Sequence, residues 1–318
     1  MKKGIALLLT LLLITVCFAA CGGEKNPADA AAEGGKLNVV CSIFPQYDFV
    51  KAIAGDKVNL TLLLDSKTDL HSYTPTADDI MKISKADLFI NIGGESDDWA
   101  EDVIASAAND KLHVVSLLKL VDAVEEETLP GMQAEDEEAE EGPEYDEHVW
   151  TSLKNVIKII PALTDMLCEL DSDNAALYQT NSSAYLAQLE ALETKYSDTI
   201  GKAARKTLLF ADRFPFRYLA DDYGLTCYAA FSGCSAETEA SFETMTFLVD
   251  TVKQQNLPFV LMIDGSDGSV AETVSRGSGA KIRVLNSCQS VSPDDIANGA
   301  SYLTIMENNL TVLSEVLN

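Results

Sequence analysis

The sequence predicts an α/β protein built as two doubly wound lobes joined by one long backbone helix. Three observations carry that prediction. Short apolar runs alternate with helix-patterned segments in both halves of the chain, which implies mostly parallel sheets with helices on their faces. A stretch of about thirty residues near the middle keeps a single helical stripe, Tyr185, Leu189, Leu192 and Tyr196 at i, i+4, i+7 and i+11. With 318 residues, the chain is long enough for two cores that share one function.

The first twenty residues open with Lys2 and Lys3, continue through IALLLTLLLITV and close on Ala19 and Ala20. That pattern is a secretory signal, too short and wrongly flanked for a spanning helix. Cys21 follows at once in FAACGG, which resembles the lipoprotein cleavage box, so Cys21 is expected to carry lipid and to tether the mature protein outside the cytoplasmic membrane. Residues 21–36 are small and polar and read as a flexible tether.

The first lobe is expected over residues 37–172. A strand at Val39 to Phe44, a helix from Pro45 through QYDFVKAIAG and a strand in VNLTLLL form one strand-helix-strand unit. TADDIMKISKA then reads as a helix capped by its Thr, DLFINIG as a strand, DDWAEDVIASAA as a helix and LHVVSL as a strand. Between Asp122 and Glu147 stand thirteen acids and no base, interrupted by Pro130, Gly131, Gly142 and Pro143, so this is expected to be a solvated loop. The linking helix is placed at residues 173–205. In the second lobe, 206–318, the alternation resumes with TLLFA, FRYLADDYG, LTCYAAF, SFETMTFLVDTV, FVLMI, SVAETVSR, KIRVL and a last helix SYLTIMENNLTVLSEVL.

Charge restricts the partners. The net charge of −27 becomes −29 once Lys2 and Lys3 leave with residues 1–20, which contain no acids. Nucleic acid and anionic lipid surfaces are poor partners for such a chain, while cations are drawn in. Beyond Cys17 and Cys21 the cysteines are Cys41, Cys168, Cys227, Cys234 and Cys288, an odd number with no CxxC spacing. Cys234 in FSGCSAETEAS and Cys288 in LNSCQS both follow predicted strands, and a disulfide between them suits an oxidising location.

Four segments fall in a telling order: HSYTPTADDI, EHVWTSLKNV, FADRFPFRYLADDYGL and IDGSDGSVAET. Together they resemble the solute-binding lipoproteins of zinc and manganese ABC importers, the group with a rigid helix between its lobes. The resemblance covers nearly all of the chain from about residue 37. It implies an extracytoplasmic monomer that is no enzyme. Such a protein captures a divalent cation, Zn²⁺ or alternatively Mn²⁺, in the cleft between its lobes and hands it to a membrane permease. It implies His71 and His148 as two ligands. The family's third ligand position, counted back from Tyr223, Gly224 and Leu225, falls on Arg213, which stays protonated and cannot ligate. Asp212 beside it is the nearest oxygen donor, and either Asp264 or Asp267 fits the fourth position after FVLMI.

Two imidazoles with carboxylates suit a borderline divalent ion. The same aspartates also suit turns and helix caps. His113, among apolar strand neighbours, reads as a core or sheet-edge residue. Two other functions compete. A lipid-anchored metallohydrolase would use the histidines and a carboxylate around a metal-bound water, but the chain has no HExxH or GxSxG and no histidine to spare as a base. A binding protein for an anionic or chelated ligand would use Arg213 as its clamp.

Overall fold

The computed structural model describes residues 35–318 apart from residues 65–68, 108, 134–143, 236–238 and 290. The expected signal segment, the Cys21 anchor, most of the tether and the middle of the acidic segment lie outside the described residues.

Apolar β-branched and aromatic residues form the first sheet: β1 (Asn38–Cys41), β2 (Asn59–Leu62), β3 (Leu88–Asn91) and β4 (His113–Ser116). They pair in the order β2-β1-β3-β4, and every ladder is parallel. Helices α1 (Phe44–Ala54), α2 (Ala77–Ser84) and α3 (Asp98–Ser106) connect them. Thr76 caps α2 as expected, accepting from the Asp79 N–H while the Asp79 carboxylate reaches back to the Thr76 N–H. His113 lies on the edge strand with its side chain exposed, the sheet-edge outcome.

A helix that the sequence reading did not separate, α4 (Leu153–Leu170), follows the acidic segment. Pro161 inside it argues for a break, but Ser152 caps its start and buried Val156, Ile159, Ile160, Leu163 and Leu167 hold it against the core. The long helix is α5 (Ala175–Lys202), about 42 Å at the usual rise per residue. The predicted stripe of Tyr185, Leu189, Leu192 and Tyr196 is buried.

The second lobe repeats the first. Strands β5 (Thr207–Arg213), β6 (Thr226–Phe231), β7 (Phe259–Ile263) and β8 (Lys281–Leu285) pair in parallel in the order β6-β5-β7-β8. Helices α6 (Arg217–Tyr223), α7 (Phe242–Gln254), α8 (Ser269–Ser278), α9 (Pro293–Ala297) and α10 (Tyr302–Val316) complete it.

Helix α5 packs against α1 and α4 of the first lobe and against α6 and α10 of the second. Its Asn181 amide donates to the Ile53 carbonyl at 2.9 Å, and its Tyr196 hydroxyl donates to the Met306 carbonyl at 2.7 Å. Buried polar bonds tie the lobes directly as well. The Trp150 indole donates to the Ser287 carbonyl, the Tyr302 hydroxyl to the Trp150 carbonyl and the Tyr218 hydroxyl to the Asp146 carbonyl, each at 2.7 Å. These bonds are cheap to keep and costly to leave unmade, so they hold the lobes at one mutual angle.

Candidate metal centre

Parallel sheets place their ligands beyond the carboxyl ends of the strands, and the residues gathered between the lobes obey that rule. A short 3₁₀ turn after β2, Leu70–Ser72, presents His71, with Asp69 accepting from the His71 backbone N–H at 3.0 Å. His148 begins the turn after the acidic segment, its backbone N–H held by the Asp146 carboxylate at 2.8 Å. His148 is fully buried, beside Trp150 at a ring-centroid distance of 5.3 Å.

The two imidazoles face one another through their Nε2 atoms, 3.3 Å apart. Each Nδ1 is already engaged: that of His71 lies 2.7 Å from the Ser96 hydroxyl, and that of His148 lies 3.2 Å from the Asp146 carboxylate. Outer partners of this kind orient the ring and leave the far nitrogen as the ligand. Two nitrogens each about 2.0–2.1 Å from one tetrahedral ion stand about 3.3 Å apart, so the observed spacing is compatible with both rings ligating one cation.

Electrostatics separates the two rings. Burial, then the neighbouring His148, holds His71 far below the ordinary histidine range, at about 3. Burial also works against the imidazolium of His148, but the Asp146 carboxylate, with Glu147 and Glu126 behind it, raises it above the ordinary value. His71 is therefore a neutral donor throughout the physiological range, while His148 is the ring for which a proton competes.

The predicted oxygen donors are not equally placed. Asp212, Arg213 and Asp267 line one cavity of about 400 Å³ together with Asp69 and His71. Asp212 is buried with both oxygens occupied, one by the Arg213 N–H at 2.8 Å and the other by the Ile263 N–H at 3.2 Å. Asp267 accepts from the Ser269 N–H at 2.8 Å, forming the turn that leads into α8, whose N-cap is Gly268. Asp264 turns to the Ser287 N–H at 2.5 Å and is not among the residues of this cavity. Arg213 pairs across the cleft with Asp69 and donates to the Ser235 carbonyl at 3.3 Å, so its charge is spent within the protein.

The expected disulfide is absent: Cys234 and Cys288 are both free thiols. Cys288 is buried in the large apolar core that also takes in the first lobe and the long helix, with its sulfur 4.0 Å from that of Met306. Cys234 belongs to a different neighbourhood, because its sulfur and one ring nitrogen from each of His71 and His148 all lie within 4.8 Å of one another. Sequence reading missed this. The available signal was its position just beyond the carboxyl end of β6, where ligands bind. Burial, then Glu126 and Glu147, raises the Cys234 thiol well above its ordinary value, so the free thiol keeps its proton.

On its far side Cys234 opens on an acid-walled cavity of about 250 Å³ that includes Glu126, Glu144 and Glu147. Glu147 is buried; one oxygen accepts from the Ser96 N–H at 2.8 Å, and the other has no partner among the described residues.

This arrangement has relatives. The family model for the zinc-uptake complex component A, periplasmic, matches residues 39–316. The chain belongs to that family. It is 31% identical to the high-affinity zinc uptake system protein ZnuA of Bacillus subtilis over 315 residues, covering 96% of this chain and 97% of that protein. It is also 31% identical to the zinc-binding lipoprotein AdcA of Streptococcus pneumoniae, again over 96% of this chain, but spans only 60% of AdcA. The Zn(II)-bound ZnuA-like domain of that AdcA superposes with a TM-score of 0.73 at 30% identity, covering 89% of this chain and 99% of the domain. The metal-dependent lipoprotein YcdH of Bacillus subtilis superposes at 0.75 and 30% identity, covering 89% of this chain and all of that one. The family is one of solute-binding components rather than enzymes.

Proposed function

We propose that this protein is the extracytoplasmic solute-binding component of a zinc ABC importer, a lipid-anchored monomer tethered through Cys21. It takes up Zn²⁺ between its lobes with His71 and His148 and passes it to a permease in the cytoplasmic membrane. The observation that carries this reading is the pair of facing Nε2 atoms 3.3 Å apart, each with its Nδ1 partner in place. A borderline cation matches neutral nitrogen donors, and the strongly acidic chain raises the local cation concentration. The zinc-named relatives support zinc over manganese as cargo. The pairing of Arg213 with Asp69 leaves no free guanidinium to clamp an anionic ligand.

Calorimetric titration of the purified protein with Zn²⁺ and with Mn²⁺ tests the reading. The expected result is one zinc per chain, with affinity falling by at least about 100-fold in His71→Ala, since losing a ligand costs more than losing its outer partner. Unchanged affinity in that variant would remove His71 from the site and the reading with it.

A further inference from the structure

We propose that Cys234 is the third ligand of the cleft cation, so that the cargo is held by two imidazole nitrogens and one thiolate sulfur. The inference deepens the zinc-capture reading and rests on it.

Four features point to this assignment. The Cys234 sulfur lies within 4.8 Å of a ring nitrogen of both His71 and His148. In a tetrahedral zinc site nitrogen and sulfur ligands stand about 3.6 Å apart, so a shift of roughly 1 Å suffices to close the shell. The loop that bears Cys234 is also pressed onto His148. A Cβ at Gly233 would stand 3.0 Å from His148 Cε1 and 3.0 Å from the Phe214 carbonyl, tighter than ordinary contact, so only glycine lets the loop approach this closely. The loop is clamped there from the opposite lobe, because the Glu126 carboxylate accepts from the Gly233 N–H at 3.0 Å and from the Cys234 N–H at 3.3 Å. Finally, the residue at the position where the resemblance implies a third ligand cannot serve, since Arg213 is turned to Asp69 and the Ser235 carbonyl.

The chemistry follows from the donor set. On binding, one Zn–S bond forms, the S–H bond breaks and its proton passes to water, while both histidines keep their Nδ1 partners. A thiolate is a soft donor that suits zinc and disfavours manganese, which prefers oxygen. Cys234 thus makes the site zinc-selective despite having only two histidines.

Cobalt(II) is the probe. Cobalt-loaded wild-type protein is expected to show tetrahedral visible bands together with a near-ultraviolet thiolate-to-cobalt charge-transfer band. That band disappears in Cys234→Ser and persists in Cys168→Ser. Zinc affinity falls by at least about 10-fold in Cys234→Ser while manganese affinity does not fall. A readout needing no variant is alkylation of the wild type, in which zinc is expected to protect Cys234 from iodoacetamide. Visible cobalt bands that depend on His71 but lack the charge-transfer band, with Cys234 alkylated equally with and without zinc, would overturn the thiolate and leave two-histidine capture standing. No cobalt or zinc bound by the wild type would overturn both.

Discussion

Each cleft histidine is oriented before a cation arrives, because Ser96 and Asp146 hold the nitrogens that face away from the cleft. The Asp146 contact has a second effect, since it raises the proton affinity of His148. A bound proton must leave before the ring can ligate, so apparent zinc affinity falls as pH drops through the raised value. The decline begins above the ordinary histidine range of about 6.5. His71, held near 3, adds nothing to this dependence at moderate pH. In Asp146→Asn the raising charge is gone and the loss of affinity moves to lower pH, which zinc competition titrations between about pH 8 and about pH 5 would record. An unmoved profile would show that Asp146 does not set the titration. Of the residues, His71 and His148 were legible in the sequence because their segments match a known family. Cys234 was not, because its position after a strand suits a disulfide as readily as a ligand, and only the folded loop separates it from Cys288.

Elements, unlike residues, announce themselves by pattern. The strands and connecting helices were readable because apolar runs of strand length alternate with capped amphipathic segments, Thr76 being the clearest start signal. Helix α4 was obscured by Pro161, whose cost is outweighed by the buried face around it. Asp212, Asp264 and Asp267 could not be sorted from sequence, since an aspartate at or just past a strand end serves backbone hydrogen bonding and metal ligation through the same oxygens. The loop after β6 matters most at this scale. In Gly233→Ala the new methyl meets His148 and the Phe214 carbonyl at 3.0 Å, so either the loop retreats or the ring tilts. Zinc affinity is expected to fall by roughly 10-fold, the size of an outer-partner loss, with little change in the thermal midpoint. An equal loss of stability, seen in melting of the metal-free variant, would make Gly233 a folding residue instead of a positioning one.

Across the whole molecule, the two lobes form one body because α5 packs on both and buried bonds from Trp150, Tyr218 and Tyr302 cross between them. The Arg213–Asp69 pair spans the same gap, placing a guanidinium beside the proposed cation site. Arg213 lowers the proton affinity of His71 and repels a divalent ion by the same field. Arg213→Met is therefore expected to tighten zinc binding by up to about 5-fold, the equivalent of about 1 kcal/mol for a partly exposed, screened pair, and to free the Asp69 carboxylate. Weaker binding in that variant, measured by competition at fixed ionic strength, would instead make the bridge a latch on which the site depends. The most direct test of the central claim is anomalous diffraction at the zinc edge from crystals of the zinc-loaded protein. The expected result is a single peak in the cleft at about 2.0–2.1 Å from Nε2 of both His71 and His148. A peak bound through Nδ1 of either ring, or lying outside the space between them, would contradict it.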